Sequence, residues 1–417
     1  MIKLLKTISD IIWVITTFLI LYVGVFYTIK LKWPQFKFTN VFKKNEGKEK
    51  SNTLKLLSLT LAGKIGVGSI AGIALCIFQG GKATIFWLWI SSIILASLTY
   101  VETKLSIKYR SKENNQYVGG PSFYIEKGLN NKKLAKIYAF LIILAYVLAF
   151  ISVQTNTIVK QMEMTFNFSK LSIAIFLVII TYLSLKKGVD SISNLTAFLV
   201  PVMGGLYICI GIYVITNNFD QTLVVLKEIV TEAFDLDGLK GAILIPIIIG
   251  IERGVFSSES GIGTTAMITA LSNNNDVEKE ARLQVLATFF TSLVICTITA
   301  LIILTTSYKN INFTDINGIE VVTYAFYKNL GPIGIIILTI VIFLFAFSTI
   351  VTCFYYGEAS LKYLTSKNTN YLKWIIIAIM IYSSFSSPVV IWNTTDIIIA
   401  MIAIINVYAM YKLKDKL

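Results

Sequence analysis

Apolar runs recur along the whole chain, separated by short polar and mostly basic intervals. A helix needs about 20 predominantly apolar residues to cross a bilayer. On that measure the pattern predicts eleven spanning segments, at 11–29, 54–79, 83–107, 134–162, 171–185, 192–216, 239–270, 281–306, 333–361, 372–387 and 389–411. Several are longer than a perpendicular crossing needs, so tilt or breakage is expected. The predicted fold class is an all-α polytopic membrane protein.

Two segments break the apolar rule at their centres. Segment 2 carries "AGKIGVGSIAG", with Gly63, Gly66, Gly68, Gly72 and Lys64. Segment 7 carries "GIERGVFSSESGIGTTA", with Gly250, Gly254, Gly261 and Gly263 beside Glu252, Arg253 and Glu259. Glycine costs about 1 kcal/mol in a helix interior. A lysine at membrane depth costs at least about 2.5 kcal/mol. Paired interruptions at matching places in two halves point to the binding site of a secondary transporter. Close helix packing of the GxxxG kind is the alternative for the glycines, and Gly68–Gly72 fits it. Four segments follow each interrupted one, which gives a five-plus-five core with segment 1 extra. An odd number per repeat inverts the second repeat relative to the first. The expected organisation is an N-terminal helix and basic loop (1–53), a first repeat (54–216), an external loop (217–238), a second repeat (239–411) and a tail (412–417).

Composition agrees and adds orientation. The 417 residues are 55% hydrophobic and 14% charged, with a net charge of +14. Of 37 Lys and Arg residues, 26 fall on one side, in loops 30–55, 104–136, 186–187, 279–282 and 362–373 and the tail 412–416; nine fall on the other. Cytoplasmic loops hold the basic excess. The N-terminus is therefore expected outside and the C-terminus inside a plasma (inner) membrane. The excess reads as loop charge rather than as a nucleic-acid surface. The first 30 residues have too long an apolar core, and no small-x-small site, to read as a cleaved signal peptide. Histidine is absent, which excludes His-based catalysis, zinc sites and proton relays. Cys76, Cys209, Cys296 and Cys353 are isolated in apolar segments, a pattern of small buried hydrophobes rather than metal ligands. With no P-loop and no nucleophile–base pair, neither an ATP-driven pump nor an enzyme is expected, and no cofactor.

A broken helix offers N–H groups at the start of its second half and C=O groups at the end of its first. The N–H end attracts a carboxylate; the C=O end suits Na⁺ or an ammonium. One site thus meets both poles of an amino acid. The amides are expected from Val67 to Ile70 and from Ser258 to Gly261.

The stretches "GVGSIAGIA", "GGKATIFWLW", "YVETKLSIKYR", "GGPSFYIEKGL", "SVQTNTI", "LVPVMGGLY", "ERGVFSSESGIG", "VICTITALIIL", "AFSTIVTCFYYGE" and "WNTTDIIIAMIAIIN", in this order, resemble the alanine/glycine:cation symporter family. The resemblance runs from about residue 54 to 408. It implies a LeuT-type fold with one added N-terminal helix, and uptake of alanine or glycine coupled to Na⁺ or sometimes H⁺. Residue by residue, it implies a carboxylate site at Gly66, Val67, Gly68, Ser69 and Ile70. Gln154 and Asn156 form a polar pair facing the site. Phe256, Ser257, Ser258, Glu259 and Gly261 make the second break. Trp392 closes the pocket, with Asp396 and Asn406 on the same helix. Na⁺ is implied at Ser348 and Thr349, completed by the carbonyls of Ala62 and Ile65, with no other metal. Lys64, Glu102, Arg253, Glu259, Asp396 and Asn406 are implied in coupling or gating. The chain departs from the family pattern at Ser69 and Ser258, where Asn is usual, and at Val67, where Thr is usual.

Blander readings stand beside these. Ser348–Thr349 can bond its own helix, Gln154 and Asn156 can join helices, and Trp392 can sit in an interfacial belt. Glu102 and Asp396 can serve as structural partners, and "LSNNNDVEKEARLQ" as a solvated cytoplasmic loop. Lys64 can pair with a carboxylate or with exposed carbonyls. It can also replace Na⁺, giving an H⁺-coupled or cation-independent permease. A non-transporting sensor or a channel is the third reading.

Overall fold

The computed structural model describes all residues except 1, 38–47, 114–115, 187–188, 236–243, 273–275, 307–317 and 366–368; the side chains of 48–52 and 189–191 are likewise outside it. Its helices are α1 (Ile2–Lys30), α2 (Lys48–Lys64), α3 (Ala71–Gly80), α4 (Ala83–Tyr109), α5 (Pro121–Leu129), α6 (Lys132–Ile142), α7 (Ile151–Phe166), α8 (Lys170–Leu185) and α9 (Val189–Asn217). They continue as α10 (Phe219–Glu232), α11 (Leu244–Ser258), α12 (Thr264–Thr269), α13 (Val277–Phe289), α14 (Cys296–Leu304), α15 (Gly318–Leu330), α16 (Pro332–Leu364), α17 (Leu372–Ser384) and α18 (Pro388–Lys412). Strands β1 (Ser111–Glu113) and β2 (Gln116–Val118) form a small antiparallel hairpin.

Among the described residues, seven helical stretches are long and apolar enough to cross a membrane, and the bent pair α2–α3 makes an eighth. α8 and α17 are shorter apolar helices. Each of the eleven predicted segments coincides with one helix or one consecutive set of helices. Three intervals expected as loops contain structure. The acid-rich stretch 217–238 is largely α10, whose Thr222, Val225 and Ile229 are buried and whose Glu228 and Glu232 pair with Lys82. The stretch around "DVEKEARLQ" is the start of α13, capped by the Asp276 carboxylate accepting from the Lys279 amide at 3.0 Å; residues 273–275 lie outside the described residues. The long interval before segment 9 contains α15.

α1 shows the logic of a lipid-facing helix. Ile11, Ile15, Phe18 and Tyr22 recur at helical spacing and are exposed, whereas Ser9, Trp13, Thr16, Thr17 and Tyr27 are buried. In lipid the polar face turns inward, because a polar group finds partners only within the protein. Three fastenings hold α1 to α18 and the tail. Trp13 Nε1 donates to the Asp396 carbonyl (3.1 Å), Tyr27 Oη to the Met410 carbonyl (2.6 Å), and Lys30 Nζ to the Lys414 carbonyl (2.7 Å).

Two helices contain a π-helical turn, Ile143–Phe150 between α6 and α7 and Phe290–Ile295 between α13 and α14. Each widens the helix where it faces a break, a placement common at functional sites.

Candidate functional site

The first break lies between α2 and α3, which meet at 59°. The α-helical bonding ends with the Ile65 amide donating to Leu61. Gly66 is extended, and Val67–Ser69 form a single 3₁₀ turn. A Cβ on Gly66 would stand 2.7 Å from Thr349 Oγ1 and 3.1 Å from the Gln154 amide, so only glycine allows this approach. A Cβ on Gly68 would run into the Phe256 ring. The amides expected to be free are partly taken: Val67 donates to Gln154 Oε1 (3.0 Å), Ser69 to Gly66 and Ile70 to Val67. Ser69 Oγ is fully buried and has no partner. Its carbonyl accepts from Thr299 Oγ1 at 2.8 Å, and Thr299 in turn meets Tyr207 Oη at 2.6 Å. Thr299 and Tyr207 escaped sequence reasoning, because a lone Thr or Tyr in an apolar run carries no positional signal.

An oxygen cluster closes the C-terminal end of α2. Thr349 Oγ1 lies 2.9 Å from the Ala62 carbonyl, 3.5 Å from that of Ile65 and 3.0 Å from that of Phe345. Ser348 Oγ also meets the Phe345 carbonyl, at 2.9 Å, with its other side against Met203. Of the residues implied for Na⁺, Thr349, Ala62 and Ile65 meet directly, whereas Ser348 turns to Met203 and shares only the Phe345 carbonyl, an unanticipated member. Hydroxyl and carbonyl oxygens with no formal charge suit a hard monovalent cation.

Lys64 points elsewhere. Its ammonium, 2% exposed as a residue, donates to Thr288 Oγ1 on α13 at 2.8 Å. Thr288 belongs to a hydroxyl chain through Thr99 to Ser260. The exposed carbonyls expected to receive this lysine are bonded by Thr349 instead. Glu259 and Glu102 attract its charge across the same buried region.

The second break, Glu259–Gly263, is held differently. Glu259, Gly261 and Gly263 all have positive φ (51°, 83° and 100°), and α12 beyond them has only six residues. Glu259 is buried yet satisfied, accepting from Tyr146 (2.8 Å), Thr264 (2.8 Å) and Tyr356 (3.5 Å). Its own amide donates to Val255, and that of Ser260 to Ser258 Oγ. Those two amides, expected to face a ligand, are thus engaged by the chain itself. Asn406 of α18 donates to the Gly261 carbonyl (3.0 Å) and to Glu102 Oε1 (2.7 Å), and its own oxygen accepts from Tyr124. Ser257 faces the second π turn through Ser292 at 3.5 Å.

Between the breaks lies an aromatic stack. Phe256 packs between Phe150 (4.9 Å) and Trp392 (5.3 Å). Trp392 is buried over Gly72, inside the bundle rather than in an interfacial belt. Above both rings sits the Arg253 guanidinium, 5.3 Å from the Trp392 ring centre and 5.6 Å from that of Phe256. One of its nitrogens, Nη2, donates at 2.7 Å to both Glu252 Oε1 and Asp396 Oδ2.

One expected partner is not brought in. Asn156 donates to the Ser383 and Ser386 carbonyls at the end of α17 (2.8 and 3.0 Å). Two residues along a helix turn about 200°, so Gln154 and Asn156 cannot both face the break.

A broken helix whose last carbonyls meet the Thr349 hydroxyl of a later helix, inside a bundle of apolar helices, is the arrangement of a LeuT-type fold. The solved structure of MhsT in complex with L-phenylalanine superposes with a TM-score of 0.62 at 17% identity, covering 86% of this chain and 88% of that one. The chain belongs to the Sodium:alanine symporter family, which matches it over residues 1–417. It is 31% identical to the amino-acid carrier protein AlsT of Bacillus subtilis over 98% of this chain and 88% of that protein. It is 29% identical to the sodium/alanine symporter AgcS of Methanococcus maripaludis, over 98% and 94%. It is a multi-pass membrane transporter of the sodium-coupled amino-acid symporter class, and not an enzyme.

Proposed function

We propose that this protein carries alanine or glycine inward with Na⁺ by alternating access, using an inverted five-plus-five core with the N-terminus outside. The observation that supports this reading best is the junction of α2 and α16: Thr349 joins the Ala62 and Ile65 carbonyls, one residue from the break that Gln154 holds at Val67. Na⁺ bound among these oxygens ties α16 to the end of α2 and fixes the break. A fixed break then presents Gly66–Ile70 to the substrate carboxylate, with Ser69 Oγ beside it, Phe256 and Trp392 as the lid, the departure at Ser69 making the pocket roomier and that at Val67 removing a hydroxyl. The affinity gain is reciprocal by linkage.

The test is alanine and glycine uptake by proteoliposomes under an imposed Na⁺ gradient. Uptake is expected to concentrate substrate and to stop when the gradient is collapsed; gradient-independent uptake overturns the coupling. Thr349→Val is expected to weaken the Na⁺ dependence at least about tenfold, equivalent to ~1.4 kcal/mol, while substrate choice is kept. The second reading, a cation-independent carrier using Lys64, draws on the burial of that ammonium beside the break. It predicts that Lys64→Met creates a Na⁺ requirement where none existed.

A further inference from the structure

At the end of the bundle that carries the tail, α1 and α18 present an aromatic and basic patch on the lipid-facing surface. Phe26 stands edge-on to Tyr411 at 5.3 Å, and Tyr22 lies 5.8 Å from the same ring. The Tyr22 and Tyr411 hydroxyls are 3.4 Å apart. Two ammonium groups converge on this cluster. Lys30 Nζ is 5.6 Å and Lys414 Nζ 5.8 Å from the centre of the Phe26 ring, and Lys414 Nζ is 4.6 Å from that of Tyr411. A third, Lys412 Nζ, is 5.8 Å from the Tyr408 ring. Exposed aromatic rings beneath ammonium groups mark the depth at which acyl chains meet headgroups.

The charges of the patch do not balance. Its carboxylate, Asp415, lies 3.1 Å from Lys30 Nζ and is 79% exposed. Lys30 also donates to the Lys414 carbonyl at 2.7 Å, a neutral partner. Three ammonium groups thus share one solvated carboxylate. Holding Lys30 and Lys414 on one ring costs repulsion, which an anion between them relieves. Beyond the ammonium groups, Ile29, Val25, Tyr22 and Phe18 follow one another down α1 at helical spacing, and all are exposed. From Lys30 to Phe18 this track is roughly 18 Å long. A ligand that fits both parts has negative charge at one end and a long apolar chain at the other. Free phosphate uses only the charged end, and a zwitterionic lipid brings its own cation against the lysines. An anionic lipid satisfies both parts, and polybasic clusters at helix ends recognise such lipids.

We propose that this patch is a binding site for one anionic phospholipid. The headgroup phosphate sits between Lys30 and Lys414, with Lys412 at its edge, and an acyl chain lies along Tyr22 and Phe18 of α1. Asp415 competes with the phosphate for Lys30. The bound lipid bridges α1 and the tail, and so reinforces the bond from Lys30 to the Lys414 carbonyl. Its placement in the inner leaflet rests on the orientation proposed above; its binding is independent of what the protein carries and of the coupling ion.

The test is native mass spectrometry and thermal unfolding of the purified full chain in detergent, titrated with dioleoylphosphatidylglycerol. Dioleoylphosphatidylcholine and inorganic phosphate serve as comparisons. One phosphatidylglycerol is expected to be retained per chain, with a gain in Tm that neither comparison gives. Lys30→Gln combined with Lys414→Gln is expected to weaken phosphatidylglycerol binding at least about tenfold. Lys133→Gln combined with Lys136→Gln, which removes two exposed lysines of α6, is expected to leave it little changed. Asp415→Asn is expected to tighten it about threefold, the scale of one exposed ion pair. A cluster that serves only to fasten the tail gives the opposite sign, so this variant decides the matter even where the double variant fails to fold. The Tm of each variant in phosphatidylcholine checks its fold. Absence of phosphatidylglycerol from the wild type, equal stabilisation by phosphatidylcholine or by inorganic phosphate, an equal loss in the α6 variant, or weaker binding in Asp415→Asn overturns the site. Alanine uptake stands or falls separately, so failure of the transport reading is distinguishable.

Discussion

The two helix breaks occupy corresponding places in the chain and are built by opposite means. The first, at Gly66–Ile70, is closed by neutral oxygens and, from other helices, one hydrogen bond to the Val67 amide, and it leaves Ser69 Oγ unpartnered. The second, at Glu259–Gly263, is wound through three positive φ angles and clamped by a buried carboxylate with three hydroxyl partners. The partners of the first are single hydrogen bonds from side chains of other helices, each replaceable by an ion or a ligand group of like chemistry. Those of the second form a closed network that a ligand can only disrupt. The first break therefore has the more replaceable contacts and the second the more closed network.

The sharpest way to break this contrast is Gly66→Ala. The new methyl group would meet Thr349 Oγ1 at 2.7 Å, and overpacking of this kind costs about 1–3 kcal/mol. Na⁺-driven uptake is expected to fall by up to about 100-fold, with a Tm loss of no more than a few degrees. A large loss of Tm instead would make the first break structural as well. Next comes Glu259→Ala, which strands the Tyr146, Tyr356 and Thr264 hydroxyls in the interior. Leaving such groups unpaired costs about 1–3 kcal/mol each, so a drop in Tm of several degrees is expected, of equal size with and without alanine and Na⁺. Ligand rescue of that Tm would show that the second break also exchanges partners. The smallest effect is expected at Gly261→Ala, where φ is +83° and the nearest atom is 3.3 Å from the added Cβ. The penalty is mainly the left-handed backbone, about 1–2 kcal/mol, with a small shift of Leu98, seen as a modest Tm loss without change in Na⁺ affinity.

Much of the fold was legible in the sequence, because lipid enforces long apolar runs and glycine with charge marks the breaks. The anatomy of the loops was not. α10 reads as an acidic loop because its buried face is only Thr222, Val225 and Ile229, too sparse for a pattern set to membrane spans. The two π turns were invisible for a different reason. A helix of constant period hides a local widening, yet that widening sets Tyr146 against Glu259 and Phe150 against Phe256. The same blindness affected the site. Adjacent polar residues at 154 and 156 look like one feature in a string but point to different neighbours. Phe345 enters through its carbonyl, which no side-chain motif reports. The opposite happened at Arg253 and Asp396: their separate charges were visible, and only the fold brings them to one nitrogen.

The fastening of α1 along α18 has a mechanical consequence. Bonds from Trp13 in the N-terminal half of α1, from Tyr27 near its C-terminal end and from Lys30 to the tail resist sliding or rocking of the two helices against each other while they hold. α1 and α18 therefore behave as a single two-ply strut, stiffer than either alone. Probes attached to both would report a constant separation through the working cycle, a fixed ruler against which the displacement of every other helix can be measured.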